Sequence, residues 1–307
     1  IRDSFYCLTE IKMIFKGSIP AVITPFTKNL EVDFDSLAKH IEFLISEGSH
    51  GLVSCGTTGE SPTLSHEEHK EVTNFIIKRS KNRVPIMAGC GSNSTAETID
   101  LVEHAKKSNA DATLFVTPYY NKPSDDGLYK HFNAIAKKCS DFPIYLYDIP
   151  GRSVKKISSD LLIKLSKIPN IVGVKDATSD LAAPMNVIQN CGKKFIQLSG
   201  EDATFLAFLI NGGVGCISVT ANVAPSLCAQ IYNSWINRQI EESMRLNQLL
   251  FILNKALFLE TSPCPVKYAL SKLKRCKNIL RLPLTTVTKS TMFEIDKALR
   301  KLNLLKK

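Results

Sequence analysis

The stretch GLVSCGTTGESPTLSHEEHKEVTNFIIKRSKNRVPIMAG, residues 51–89, contains the pattern that decides the fold. It opens on a short apolar run at 51–55 and closes on another at 84–89, both of strand length. Between them Ser65 and Glu68 form a capping box, and Val72, Phe75 and Ile76 follow at helical spacing. A strand, a helix and a second strand in so short a stretch make one βαβ unit.

The same alternation recurs on both sides. Apolar runs at 19–24, 51–55, 84–89, 112–117, 143–147, 171–175, 195–199 and 215–219 start roughly 20 to 35 residues apart. That is the room a strand, a helix and two short loops need. Asp35-Ser36 precedes Leu37, Ile41, Leu44 and Ile45, and Thr95 with Thr98 opens a helix carrying Ile99, Val102 and Ala105. Eight βα units without a long linker predict a parallel (β/α)8 TIM barrel; a doubly wound sheet is the alternative, and eight even repeats suit closure better. After Val219 the strands stop, and 226–235, 240–257 and 291–304 read as helices. The predicted division is a barrel over 13–225, then its last helix and a small C-terminal helical region over 226–307. Residues 1–12 place Arg2, Asp3, Glu10 and Lys12 among apolar residues, unlike a signal peptide's apolar centre. They read as an N-terminal extension outside the fold, with Met13 as a native-looking start.

The chain has 307 residues, 44% of them hydrophobic and 22% charged, which fits a globular protein with a full core. No run approaches the roughly 20 apolar residues of a membrane helix, so no membrane is expected. Nine cysteines without a C-x-x-C pair, several inside apolar runs, predict reduced thiols and a cytoplasmic protein. The net charge of +10 is spread over scattered lysines. That pattern reads as solvated faces and gives no nucleic-acid partner.

In a barrel of this kind the chemistry belongs at the C-terminal strand ends. Those ends hold Thr24, Thr57, Thr58, Tyr119, Tyr120, Tyr147, Lys175, Ser199, Gly200, Ile217 and Ser218. Tyrosines, threonines and a lysine converge there without a His, Asp and Glu set, so neither a metal nor another cofactor is expected. A lysine at such a mouth is partly desolvated, which disfavours its charged form, and a neutral amine attacks a ketone to form an imine. The competing reading pairs Lys175 structurally with Asp176. Tyr147 is suited to relay protons through the hydroxyl of Thr58, and the glycines around Thr57-Thr58 let backbone amides approach a carboxylate. Arg152, after Pro150-Gly151, is suited to clamp a second carboxylate.

Taken together these residues resemble the dihydrodipicolinate synthase family, within the N-acetylneuraminate lyase superfamily. The resemblance runs from about Phe15 to the C-terminus. It rests on Gly17-Ser18-Ile19, Thr24-Pro25-Phe26, Gly56-Thr57-Thr58-Gly59-Glu60-Ser61, Val116-Thr117-Pro118-Tyr119-Tyr120-Asn121-Lys122-Pro123, Tyr147…Pro150-Gly151-Arg152, Gly173-Val174-Lys175-Asp176-Ala177-Thr178, Leu198-Ser199-Gly200-Glu201-Asp202, Ile217-Ser218-Val219-Thr220-Ala221-Asn222 and Pro263…Pro265-Val266-Lys267.

The resemblance implies that pyruvate forms a Schiff base on Lys175 and that its enamine attacks L-aspartate 4-semialdehyde. Cyclisation then gives the heterocycle that feeds diaminopimelate and lysine synthesis. It implies a homotetramer, with Tyr147, Thr58 and Tyr120 as the proton relay and Tyr120 entering a neighbouring subunit's site. Thr57 and Thr58 would hold the pyruvate carboxylate, Ile217 and Gly200 would line the site, and Arg152 would bind the semialdehyde carboxylate. Ser61, His66, His69, Asn93, Glu97 and Tyr119 match positions where lysine-sensitive members bind L-lysine as an inhibitor; Pro62 stands where a smaller alanine is common. A zinc pair is the other reading of His66 and His69. Members usually carry Asn where this chain has Asp148, which places a carboxylate near the loop of Arg152 and puts the second-substrate clamp in question. A sibling aldolase acting on a sugar acid or 4-hydroxy-2-oxoglutarate, and a non-catalytic amino-acid-binding barrel, are the rival functions.

Overall fold

The computed structural model describes residues 15–305. The extension at 1–12 and the start at Met13 lie outside the described residues. Eight strands alternate with helices: β1 Gly17–Pro20, β2 Leu52–Ser54, β3 Ile86–Gly89, β4 Ala112–Val116, β5 Ile144–Asp148, β6 Ile171–Asp176, β7 Ile196–Ser199 and β8 Gly215–Ser218. The helices are α1 Phe34–Ser46, α2 His66–Ser80, α3 Thr95–Lys107, α4 Asp125–Lys138, the short α5 Pro150–Ser153, α6 Ser159–Leu165, α7 Ala183–Cys191, α8 Phe205–Ile210 and α9 Pro225–Ile236. Three more follow the barrel: α10 Ile240–Ala256, α11 Cys264–Lys272 and α12 Lys289–Lys301.

The strands pair in parallel in the order β1-β8-β7-β6-β5-β4-β3-β2, the arrangement of a (β/α)8 barrel. Closure between β1 and β2 is thin. It rests on the single bridge Ala21–Val53 and on His50 N to Ser18 O at 2.9 Å and Val22 N to Val53 O at 3.0 Å. The first strand therefore differs from the expected 19–24. Its ladder with β8 starts at Gly17, and by Val22 the backbone has turned to β2. The other seven strands differ from the apolar runs by at most two residues at either end.

Local capping explains the helix starts. In α2 the Ser65–Glu68 capping box is formed. In α1 Asp33 accepts from Ser36 N, and Leu37, Ile41 and Leu44 face the core. The cap of α3 is Ser94 rather than Thr95, because Ser94 accepts from Glu97 N while Thr98 Oγ1 bonds back to Ser94 O.

Two apolar layers result. Ile19, Val53, Met87, Leu114, Tyr145, Leu198 and Ile217 fill the barrel, with Phe15 edge-on to Tyr145 at 5.8 Å. Alternate residues of the same strands, such as Ala88, Phe115, Ile144, Leu146 and Val174, face the helices. Each large side chain so buried contributes about 1.5–3 kcal/mol. Gly173 makes room for this packing, since a Cβ there would lie 2.8 Å from the Tyr145 ring and 2.5 Å from Ile196 O. The eight cysteines among the described residues are all unpaired, and no helix among those residues is long and apolar enough to cross a membrane.

At the C-terminal rim Asp148 ends β5 opposite Asp176 on β6. Its Oδ1 accepts from Ile157 N at 3.2 Å, so its carboxyl ties down the end of the loop after β5. Burial pushes this carboxyl up to about 7; the Ile157 amide and Lys156 oppose the rise and Asp176 adds to it. A folded pKa above the unfolded one means that the native chain binds more protons between about pH 4 and 7, so this group makes stability fall as pH rises through that window. Asp148→Asn keeps an acceptor for Ile157 and cannot ionise. We expect it to raise the melting temperature by about 2–4 °C more at pH 8 than at pH 5; equal shifts at both values would refute the assignment.

Candidate active site

A cavity of about 810 Å3 opens at the C-terminal rim. Tyr147 on β5 and Lys175 on β6 stand opposite each other in the ladder and are each 7% exposed. The Lys175 ammonium lies 3.9 Å from the centre of the Tyr147 ring. Strand alternation turns the next residue, Asp176, the other way, where it accepts from Thr178 N at 2.7 Å. The expected alternative of a Lys175–Asp176 ion pair is therefore not what the structure holds. Lys175 owes its path to Gly200, because a Cβ there would sit 3.0 Å from Lys175 Cε and 2.7 Å from the Ala177 side chain.

Thr57 and Thr58 face the same cavity from a 3-10 turn, Thr57–Gly59, that follows β2. Among the described residues neither hydroxyl is hydrogen-bonded to Tyr147. Thr24 Oγ1 pins the turn by donating to Gly59 O at 2.6 Å. Ile217 lines the cavity from β8, and Gly200 from the end of β7.

Arg152 reaches the opposite wall from α5, held by Nη2 to Ser262 O at 3.1 Å. Ser153 beside it is buried, with its hydroxyl between Ile149 O at 2.9 Å and Lys155 O at 2.8 Å and its one proton shared by the two, closing the loop on itself. Asp148 does not line the cavity; its carboxyl faces Ile157, so it supports the loop of Arg152 without entering the clamp.

Five of the six residues matched to a lysine site, Ser61, His66, His69, Glu97 and Tyr119, line the same cavity, as does Pro62. Asn93 lies behind them and donates to Tyr119 O at 3.2 Å. Glu97 already has two partners, His66 at 2.6 Å and the Ser92 hydroxyl. Burial pushes the His69 imidazole down to about 4 and, with Glu97 nearby, raises the Tyr119 phenol. Among the described residues no three His, Cys, Asp or Glu groups come together as a metal site, and His66 faces Glu97 instead of sharing a ligand position with His69.

Tyr120 stands apart. It is 89% exposed at φ 69° and points away from the cavity of its own chain. Conversely, Phe258, Thr261 and Ser262 line the cavity although the sequence reading did not select them. Their only signal was adjacency to Pro263…Lys267, and nothing in their spacing tied them to Arg152, 110 residues earlier.

Comparison with known proteins identifies the family. Residues 14–302 match the Dihydrodipicolinate synthetase family. The 4-hydroxy-tetrahydrodipicolinate synthase of Rhodospirillum centenum is 52% identical over 292 residues, covering 95% of this chain and all of that protein. The chloride-inhibited dihydrodipicolinate synthase of Acinetobacter baumannii, complexed with pyruvate, superposes with a TM-score of 0.92 at 41% identity over 94% of this chain and 99% of that one. The enzyme from Cyanidioschyzon merolae with lysine bound gives a TM-score of 0.92 at 34% identity, covering 96% of this chain and all of the other. These matches span nearly the whole chain in sequence and in shape, and the chain belongs to the dihydrodipicolinate synthetase family.

Proposed function

We propose that this chain is a 4-hydroxy-tetrahydrodipicolinate synthase, joining pyruvate to L-aspartate 4-semialdehyde for diaminopimelate and lysine synthesis. The observation that supports this most is the Lys175 amine against the Tyr147 ring, inside a cavity with Thr57 and Thr58 on one wall and Arg152 on the other.

In this reading the Lys175 amine attacks the pyruvate ketone, water leaves, and a protonated imine remains. The imine draws electrons from the methyl carbon, which loses a proton to become the enamine. That carbon attacks the aldehyde of the second substrate, and its amino group closes on the imine carbon and frees Lys175. The turn of Thr57 and Thr58 holds the pyruvate carboxylate, Ile217 and Gly200 shape the floor, and Arg152 receives the semialdehyde carboxylate. Tyr147 moves protons through Thr58 to Tyr120. The outward Tyr120 suits donation to a neighbouring subunit's cavity, and the family resemblance makes that assembly a homotetramer. A sibling aldolase or a non-catalytic barrel is disfavoured: the family relatives share the synthase name at about 50% identity, and Arg152 is present.

L-Lysine is the inhibitor this reading assigns to Ser61, His66, His69, Asn93, Glu97 and Tyr119. Its ammonium would compete with His66 and Ser92 for the Glu97 carboxylate. The lysine-bound relative supports the choice.

Three outcomes follow. Borohydride reduction with pyruvate is expected to leave a reduced adduct on Lys175 and none in Lys175→Ala; an unmodified Lys175 would sink the mechanism. Arg152→Ala should cut kcat/KM for the semialdehyde by roughly 10- to 100-fold, the worth of a charge-assisted hydrogen bond, while pyruvate trapping stays normal. Equal damage to both substrates would argue against the clamp. Millimolar L-lysine should lower the initial rate, and Glu97→Gln should abolish that effect; an unchanged wild-type rate would remove the inhibitory site.

A further inference from the structure

Two residues of the motifs singled out in the sequence, Glu60 and Lys267, have no part in the chemistry so far, and they meet each other. Glu60, in the 56–61 turn, and Lys267, in the Pro263…Lys267 run, are 207 residues apart and form a fully buried ion pair, Nζ to Oε1 at 2.5 Å. Lys267 Nζ also donates to Thr24 O at 2.9 Å and lies 4.1 Å from the centre of the Phe26 ring. The second Glu60 oxygen accepts from Arg281 N at 3.3 Å. Neither member faces the cavity.

Glu60 occupies a backbone conformation that favours glycine, with φ at 56°. It joins the 3-10 turns Thr57–Gly59 and Ser61–Thr63, with Glu60 N bonded to Thr57 O and Thr63 N to Glu60 O. A residue with a Cβ persists in such a place only when its surroundings hold it there, and the Lys267 ammonium is one of the groups that hold it, with the Arg281 amide and the Thr63 hydroxyl. On the other side Lys267 lies in α11, with its N–H bonded to Pro263 O at 3.0 Å. The residue before Pro263 is Ser262, whose carbonyl receives Arg152. One continuous path of bonded groups thus runs from Thr57–Thr58 through Glu60, Lys267 and Ser262 to Arg152.

We infer that Glu60 and Lys267 are a positioning pair that fixes the separation of the two carboxylate-binding ends of the site, the Thr57–Thr58 turn and Arg152. The inference rests on the assignment of those residues to the two substrate carboxylates. Lys175 and Tyr147 sit on β6 and β5, which the pair does not touch. Loosening it weakens the capture of both substrates and spares the bond-forming steps.

The test is the double variant Glu60→Gln/Lys267→Met, which removes both charges together and leaves no lone ion in the interior. We expect it to fold, to form the reducible pyruvate adduct normally at saturating pyruvate, and to keep kcat within about threefold, while KM for pyruvate and for the semialdehyde each rise about tenfold. Amide exchange should quicken in both 56–63 and 150–154 and stay slow in the barrel strands. A lower melting temperature with both KM values unmoved, or faster exchange confined to 56–63, overturns the inference. If the double variant does not fold, Glu60→Asp, which keeps both charges and shortens the arm that reaches Lys267, is held to the same criteria, with the same outcomes deciding. Failure of the wild-type chain to form any pyruvate adduct would instead defeat the functional reading, and the exchange pattern still decides whether the two segments are coupled.

Discussion

Closure of the strand ring is the constraint on which everything else depends. Seven of the eight junctions are parallel ladders, whereas β1 meets β2 through one bridge and two backbone hydrogen bonds near it. A barrel open at that seam would expose backbone groups that must be paired and would let its interior layer of Ile19, Val53, Met87 and Tyr145 meet water. The loops leaving β1 and β2 reinforce the seam from above. Thr24 Oγ1 bonds Gly59 O, and Lys267 joins Thr24 O to Glu60. Removing one partner of such a buried pair costs about 3–5 kcal/mol, because the other charge is left in the interior.

The same closure makes the site. Parallel strands bring eight C-terminal ends to one rim, and alternation along each strand sends Tyr147 and Lys175 inward while Asp148 and Asp176 turn toward the helices. That separation puts Lys175 in the cavity and, among the described residues, leaves it without a carboxylate partner. Gly200 completes it by leaving room beside the lysine stem. The two walls have different origins: Thr57 and Thr58 ride on a tight turn above the seam, and Arg152 rides on a loop that Asp148, Ser153 and Ser262 restrain. Asp148 does its work through a single amide, that of Ile157, which an asparagine oxygen would also bond.

Much of this was legible in the sequence. Eight apolar runs at even spacing predicted the barrel because a buried parallel strand needs apolar residues on both faces. The capping box of α2 was readable because its partners are three residues apart. The first strand was misplaced since its pairing partner changes from β8 to β2 within a few residues, and no local pattern encodes a change of partner. The cap of α3 was assigned one residue late, between Ser94 and Thr95, which have similar chemistry.

The sequence by itself determined the fold class, the family and the inventory of reactive groups, because periodicity, turn chemistry and motif order are local properties. Only the tertiary structure decided what each group faces. It turned Asp176 away from Lys175, set Asp148 behind the loop of Arg152, left Tyr120 pointing outward and brought Ser262 to Arg152 and Lys267 to Glu60 from the far end of the chain. Those outcomes depend on strand register and on contacts across 110 and 207 residues, and such contacts arise only once the ring of strands has closed.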